Sequence, residues 1–215
     1  MAFIDPQTVI NITGIDSDSY EDDELSDFIS FAQKEVLSKI QKRELREPAL
    51  YLDNTRQNKI DGSNTTFYLS KWKGNYLGDL DMDGDIDTDD VKVYSISSDG
   101  TETELSVSSV DYEKMSFTLS SAPSNVDLLV TYKYCPFDLV TPDPQVAQVT
   151  AYLAASYVSV TDGSDDSFRI GNVSFGGNNR GIKENKYYQK YEELMTTLIE
   201  DATGGAIWGE SLVKI

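Results

Sequence analysis

The hydrophobic pattern of this chain changes its period twice, and this change constrains the fold more than any other feature. Residues 22–46 place apolar side chains at every third or fourth position, which is the spacing of an amphipathic helix. This stripe consists of Leu25, Phe28, Ile29, Ala32, Val36 and Ile40. From Leu50 to Tyr134 the period is two, with turn residues between short segments, and after Pro136 the helical spacing returns. The pattern predicts an α+β protein.

The order of these segments predicts a discontinuous domain with an insertion. A helical core comprises residues 1–48 and 136–203, and residues 49–135 form an inserted antiparallel β-sandwich or barrel of five or six short strands. A short segment, residues 204–215, follows as a C-terminal tail. Its apolar side chains are typical of a segment that packs against a neighbouring protein.

Helix boundaries are marked by local signals. Asp5-Pro6 and Asp143-Pro144 each combine a capping residue with a proline suited to the first helical turn. The first helix ends at Gly14, the second helical segment runs to about Val160, and a last helix spans about 182–202. The alternating segment FRIGNVSF, residues 168–175, predicts a strand or hairpin arm. The long helix is predicted from Asp22 to Arg46, closed by the basic residues Lys39, Lys42, Arg43 and Arg46 before Pro48.

The charged residues exclude several classes of function. There are 37 acidic and 18 basic residues, a formal net charge of -19, so a protein-wide basic surface for nucleic acid is excluded. The chain has no histidine, which excludes histidine-based triads, histidine general bases and most catalytic zinc sites. The single cysteine, Cys135, has no disulfide partner, and we expect it to be a small buried apolar residue. We therefore predict that the protein is not an enzyme.

One motif predicts a metal site. Residues 79–90 read DLDMDGDIDTDD and match the spacing of a twelve-residue calcium loop, with Gly84 at the sharp turn and Ile86 as the aliphatic residue. The predicted Ca²⁺ ligands are Asp79, Asp81, Asp83, Asp85 through its carbonyl, Asp87 and Asp90. The loop resembles those of EF-hand and dockerin modules, but a strand follows it and Asp90 replaces the usual glutamate. We expect Ca²⁺ to have a structural role.

The ends of the chain carry a resemblance to a known family. VINITGIDSD followed by DDELSDFISFAQKEVLSKI near the N-terminus, and DPQVAQVTAYLAASYV, SFRIGNVSFGG and YYQKYEELMTTLIE near the C-terminus, resemble the head–tail connector proteins of tailed viruses. The middle, from DGSNTTFYLSKW to VDYEKMSFTLSSAPSNVDLLVTYKY, is similar to β modules that viral connectors carry as insertions. The calcium loop is not a feature of that family's core.

The resemblance implies a structural virion protein. Such an adaptor forms a ring of identical subunits, usually a dodecamer, beneath the portal protein and extends the DNA channel to a neck or tail-completion protein. Genomic DNA passes through the channel without specific binding. The tail of the family inserts against the portal, which makes Ile207, Trp208, Leu212 and Val213 the portal-contact candidates.

Two other classes of function remain open. A calcium-stabilised adhesion or carbohydrate-binding module would also combine β-strands with an acidic loop, and a metal-dependent hydrolase would need convergent carboxylates. The N-terminus lacks the basic and apolar regions of a signal peptide, and no segment approaches the run of about 18 apolar residues that crosses a membrane. We therefore expect no membrane partner, with the protein in the host cytoplasm during assembly and in the virion neck afterwards.

Overall fold

The computed structural model describes residues 4–15, 22–48, 58–69, 74–141, 143–161, 167–170, 173–176 and 185–202. Its helices and antiparallel sheets confirm the α+β class. The chain divides into two compact units, a β unit of residues 40–141 and a helical unit formed by residues 2–39 together with 142–215. The β unit thus begins nine residues earlier and ends six residues later than the predicted insertion of 49–135. None of the helices in the described part of the chain is long and apolar enough to cross a membrane.

Within its described residues, the helical unit contains four helices and one hairpin. The helices are α1 (Pro6–Thr13), α2 (Asp22–Ile40), α3 (Pro144–Thr161) and α4 (Lys186–Ala202). The Asp5 side chain accepts a hydrogen bond from the Thr8 amide at 2.7 Å, and Gly14 ends α1 with a φ of 66°. The predicted caps at both Asp-Pro pairs are confirmed, since Asp143 accepts from the Gln145 amide. Helix α3 packs against α1 and α4, and its buried side chains include Val146, Val149, Leu153, Ala154 and Tyr157.

A polar network joins three helices of this unit. The Glu35 carboxylate on α2 accepts hydrogen bonds from the hydroxyl of Tyr157 on α3 at 2.8 Å and from the hydroxyl of Tyr191 on α4 at 3.2 Å. The Lys39 ammonium pairs with Glu35 at 2.9 Å and also donates to the Tyr191 hydroxyl. Burial raises the pKa of Glu35, but these donors outweigh it and hold the pKa below its usual range.

The predicted C-terminal end of the long helix is wrong. Helix α2 ends at Ile40, and strand β1 (Lys42–Pro48) follows at once. The three basic residues that were predicted to close the helix after Lys39 all lie in this strand instead. They are Lys42, Arg43 and Arg46. Between Ile40 and the predicted helix end at Arg46, the one large apolar side chain is Leu45, which is 64% exposed, so a longer helix would bury no further core surface. Pairing in a sheet instead satisfies the backbone hydrogen bonds of this segment.

The part of the β unit that the structure describes forms two antiparallel sheets. Its further strands are β2 (Thr66–Tyr68), β3 (Tyr76–Gly78), β4 (Val91–Ile96), β5 (Glu102–Leu105), β6 (Val107–Asp111), β7 (Ser116–Leu119) and β8 (Asp127–Cys135). One sheet has the order β1-β8-β4-β5, with β3 also paired to β8, and the other has the order β2-β7-β6. Strands from both sheets share one core, whose largest members include the stacked pair Phe67 and Phe117. This arrangement is that of a small sandwich. In the helical unit, β9 (Ser167–Ile170) and β10 (Val173–Gly176) form the predicted hairpin.

Strand β1 contains a bulge that redirects one side chain. The register with β8 shifts between Glu44 and Glu47, and Arg46 adopts a φ of 55° there. Its amide donates to the Thr131 hydroxyl at 3.1 Å. The guanidinium reaches Glu102 on β5 through two hydrogen bonds of 2.9 and 2.7 Å and lies 5.7 Å from the ring centroid of Tyr94 on β4. The arginine therefore spans the sheet from β1 to β5.

Candidate cation site

The acidic loop, residues 79–90, connects two strands of the larger sheet. It follows β3 directly and ends in a 3-10 turn, Thr88–Asp90, that leads into β4. Both ends of the loop are buried. Asp79 is 2% exposed and Asp90 is 1% exposed, whereas the aspartates between them are exposed. Ile86 packs against the core of the β unit. The loop is thus anchored at its ends and at one apolar side chain between them.

Three of the predicted ligands converge. Oxygen atoms of the Asp79, Asp81 and Asp83 carboxylates lie within 4.8 Å of one another. They alternate along the sequence, as the spacing requires for side chains that point toward one centre. The loop closes around them because Gly84 adopts a φ of 99° and Met82 a φ of 66°, both in the left-handed region. The predicted turn at Gly84 is therefore confirmed.

The two buried aspartates hold the loop backbone. Asp79 accepts hydrogen bonds from the amides of Met82 and Gly84, the latter at 2.9 Å. Asp90 accepts one from the Leu80 amide with one oxygen and one from the Asp87 amide, at 2.7 Å, with the other. These bonds tie the last residue of the loop to its beginning. Asp90 therefore acts here as a cross-link of the backbone.

The remaining predicted ligands lie outside the three-residue cluster. Asp87 caps the 3-10 turn by accepting from the Asp89 amide at 2.8 Å. The Asp85 amide donates to Asp83 at 2.9 Å. Similarly, the Asp83 amide donates to Asp81 at 3.2 Å. The carboxylates of Asp79, Asp81 and Asp83 thus converge, and those of Asp85, Asp87 and Asp90 are not members of this cluster. The predicted role of the Asp85 carbonyl as a ligand stays a prediction.

Burial, together with neighbouring negative charge, raises the pKa values of the two buried aspartates of the loop. Burial raises the pKa of Asp90 to about 7, and the charges of Asp79 and Asp81 add to this although the amides of Asp87 and Leu80 oppose it. Burial also raises the pKa of Asp79, and the charges of Asp81 and Asp83 act in the same direction. Negative charge in the loop is therefore unfavourable without a counter-charge.

One basic residue that the sequence analysis did not identify contacts the loop. The Lys133 ammonium, from β8, donates to the backbone carbonyl of Asp79 at 2.9 Å. Burial lowers the pKa of Lys133 and the nearby charge of Arg43 lowers it further, while the charge of Asp79 acts in the opposite direction. The contact joins positions 54 residues apart, so no local pattern of residues indicates it.

The donor set suits a hard cation. All three convergent groups are carboxylates, and hard divalent cations such as Ca²⁺ prefer oxygen ligands at about 2.3–2.6 Å. Oxygens within 4.8 Å of one another can contact a common ion at such distances. The cluster could therefore hold a metal ion. Further ligands would come from backbone carbonyls, from water and from the exposed carboxylates of the same loop.

Comparison with protein-family models and with curated proteins adds no relative. No protein-family model matches the sequence, and no curated protein matches it significantly. The four portal-contact candidates, Ile207, Trp208, Leu212 and Val213, lie outside the described residues.

Proposed function

We propose that the acidic loop binds Ca²⁺ and that the ion is a structural part of the β unit. The observation that carries this proposal is the convergence of Asp79, Asp81 and Asp83 in a loop whose ends are anchored in the sheet. A bound divalent cation would offset the burial of Asp79 and the negative charges of Asp81 and Asp83, which raise the pKa of Asp79. The twelve-residue spacing and the flexible oxygen-only donor set favour Ca²⁺ over Mg²⁺, which demands stricter octahedral geometry.

Calcium titration with matched variants tests this proposal. Asp81→Asn and Asp83→Asn remove charges from exposed cluster members and leave the buried anchors intact. Asp127→Asn, an exposed aspartate at the start of β8, is the control for a change of net charge. We expect heat of binding and a higher melting temperature with Ca²⁺ for the wild type and the control, and weaker binding for the other two. At a hundredfold excess of Ca²⁺ over Kd the stabilisation is about 2.7 kcal/mol. A wild type with neither heat nor a thermal shift contradicts the proposal.

For the whole chain we propose a structural role as a head–tail adaptor of a tailed virus. Support comes from the order of the elements: a long helix, a β unit, a second helix, a hairpin and a last helix follow one another as the resemblance implies. The helical unit is made from both ends of the chain, with the β unit between them in sequence. In this proposal the subunits form a dodecameric ring beneath the portal and extend the DNA channel to a neck or tail-completion protein.

Electron microscopy of the concentrated protein in Ca²⁺, together with binding to the cognate portal, tests the adaptor role. Rings with a central hole support it, and so does cosedimentation of subunits with the portal. Trp208→Ala should abolish portal binding, whereas Lys214→Ala, a polar position in the same tail, should retain it. Subunits that neither form rings nor bind the portal contradict the proposal. If such subunits bind glycans instead, the protein is a calcium-stabilised adhesion or carbohydrate-binding module.

A further inference from the structure

Lys133 brings a positive charge to the acidic loop from a different strand. It lies on β8 opposite Gly78, the residue that precedes Asp79. A Cβ atom at position 78 would lie 3.1 Å from the Cβ of Lys133, so glycine leaves the lysine the room it needs. The side chain is half-buried, and its ammonium reaches the Asp79 carbonyl at 2.9 Å.

The position of this ammonium differs from that of the other lysine at the loop. Lys133 interacts electrostatically with Asp79, Asp81 and Asp90, which include two of the three convergent carboxylates. Lys92 instead pairs at 3.2 Å with Asp89, an exposed residue outside that cluster. Water screens an exposed pair of this kind more strongly than a half-buried charge.

We propose that Lys133 is a built-in counter-charge that stabilises the acidic loop without an ion and sets a weak affinity for divalent cations. The inference rests on the proposed calcium site. The same positive charge that attracts the carboxylates repels a cation held by them, so ion-free stability and affinity must change in opposite directions when it is removed. Even at the dielectric constant of water, a unit charge about 6 Å from a divalent ion changes the binding free energy by about 1.4 kcal/mol, which is about tenfold in affinity.

The experiment compares variants that separate charge from hydrogen bonding. Lys133→Met removes both, Lys133→Gln keeps a donor for the Asp79 carbonyl, and Lys133→Arg keeps the charge. Lys92→Met removes an equal charge at the other end of the loop and is the matched control. Calorimetric titration with CaCl₂ gives the affinity, and urea unfolding in EDTA gives the stability of the ion-free protein.

We expect Lys133→Met and Lys133→Gln to bind Ca²⁺ on the order of tenfold more tightly than the wild type and to unfold at lower urea concentration in EDTA. Lys133→Arg and Lys92→Met should stay within about twofold of the wild-type affinity. If the wild type binds Ca²⁺ and Lys133→Gln binds it with equal or lower affinity, this inference is overturned and the proposed calcium site stands. No binding by the wild type overturns both. Should Lys133→Met fail to fold, the comparison of Lys133→Gln with Lys133→Arg decides.

Discussion

Removal of the Tyr157 hydroxyl should destabilise the helical unit through the loss of its hydrogen bond to Glu35. In this unit the hydroxyl donates to Glu35 over 2.8 Å and so links α3 to α2. Tyr157 is 4% exposed, and the pKa of its hydroxyl is raised by burial and by the Glu35 charge, so the group stays protonated as a donor. The substitution Tyr157→Phe removes this donor and preserves the ring that packs 6.1 Å from the Phe28 centroid.

The expected loss follows from the charge and exposure of the acceptor. A hydrogen bond to a charged group contributes about 1.5–3 kcal/mol to stability. The Glu35 side chain is 37% exposed, and solvent screening places the effect at the lower end of that range. We expect Tyr157→Phe to lower the free energy of unfolding by about 1.5 kcal/mol. The Lys39 and Tyr191 bonds to Glu35 remain, so helix content should be unchanged.

Urea unfolding followed by circular dichroism at 222 nm measures the loss. Tyr152→Phe, on the same helix, is the control because the Tyr152 hydroxyl has no hydrogen bond within the described residues.

A double-mutant cycle of Tyr157→Phe with Glu35→Gln should give a coupling of about 1 kcal/mol at pH 7. Because the folded pKa of Glu35 is depressed, its contribution is present above the unfolded value of 4.5 and is lost as pH falls through the folded pKa. Equal losses for both tyrosines, or no coupling, refute the reasoning.

Three further predictions concern the β unit. Arg46→Ala should destabilise more than Arg46→Gly by about 1 kcal/mol in urea unfolding, since glycine relieves the left-handed φ of 55° while both variants lose the Glu102 pair. Asn58→Ala should cost about 2 kcal/mol by thermal unfolding, because the buried amide bonds both the carbonyl and the amide of Tyr68, at 2.8 and 2.7 Å; a loss below about 0.5 kcal/mol would contradict this. Cys135 should resist iodoacetamide at pH 7.5 until urea unfolds the protein, because burial raises its pKa to about 12; rapid labelling of the folded chain, followed by mass spectrometry, would disagree.

The features predictable from the sequence are those that depend on neighbours in the chain. Asp5-Pro6 and Asp143-Pro144 define helix starts because the capping side chain bonds an amide two or three residues later. The acidic loop was identified for the same reason: its alternating aspartates and Gly84 lie within twelve residues. Periodicity was sufficient for β4, whose inward and outward side chains alternate along the strand.

The features that sequence analysis missed depend on distant partners. Strand β1 has a charged sequence, KRELREP, and exists because β8 offers a pairing edge more than 80 residues later. The network at Glu35 draws its tyrosines from positions 122 and 156 residues away. The Lys133 contact with the loop depends on the register of β8 with β3. No local pattern encodes these contacts, because they arise from tertiary pairing.

The pairing of β8 also has a consequence for the order in which the β unit folds. Strands β1, β3 and β4 all pair with β8, which is the last strand of the unit to be synthesised. Loop-closure entropy must be overcome before such distant pairings stabilise the chain, which makes folding slow. During translation the larger sheet therefore has no central strand until residue 135 has left the ribosome. Until that moment β1 and β4 present unpaired edges, and chaperone binding to nascent chains should fall sharply once β8 emerges.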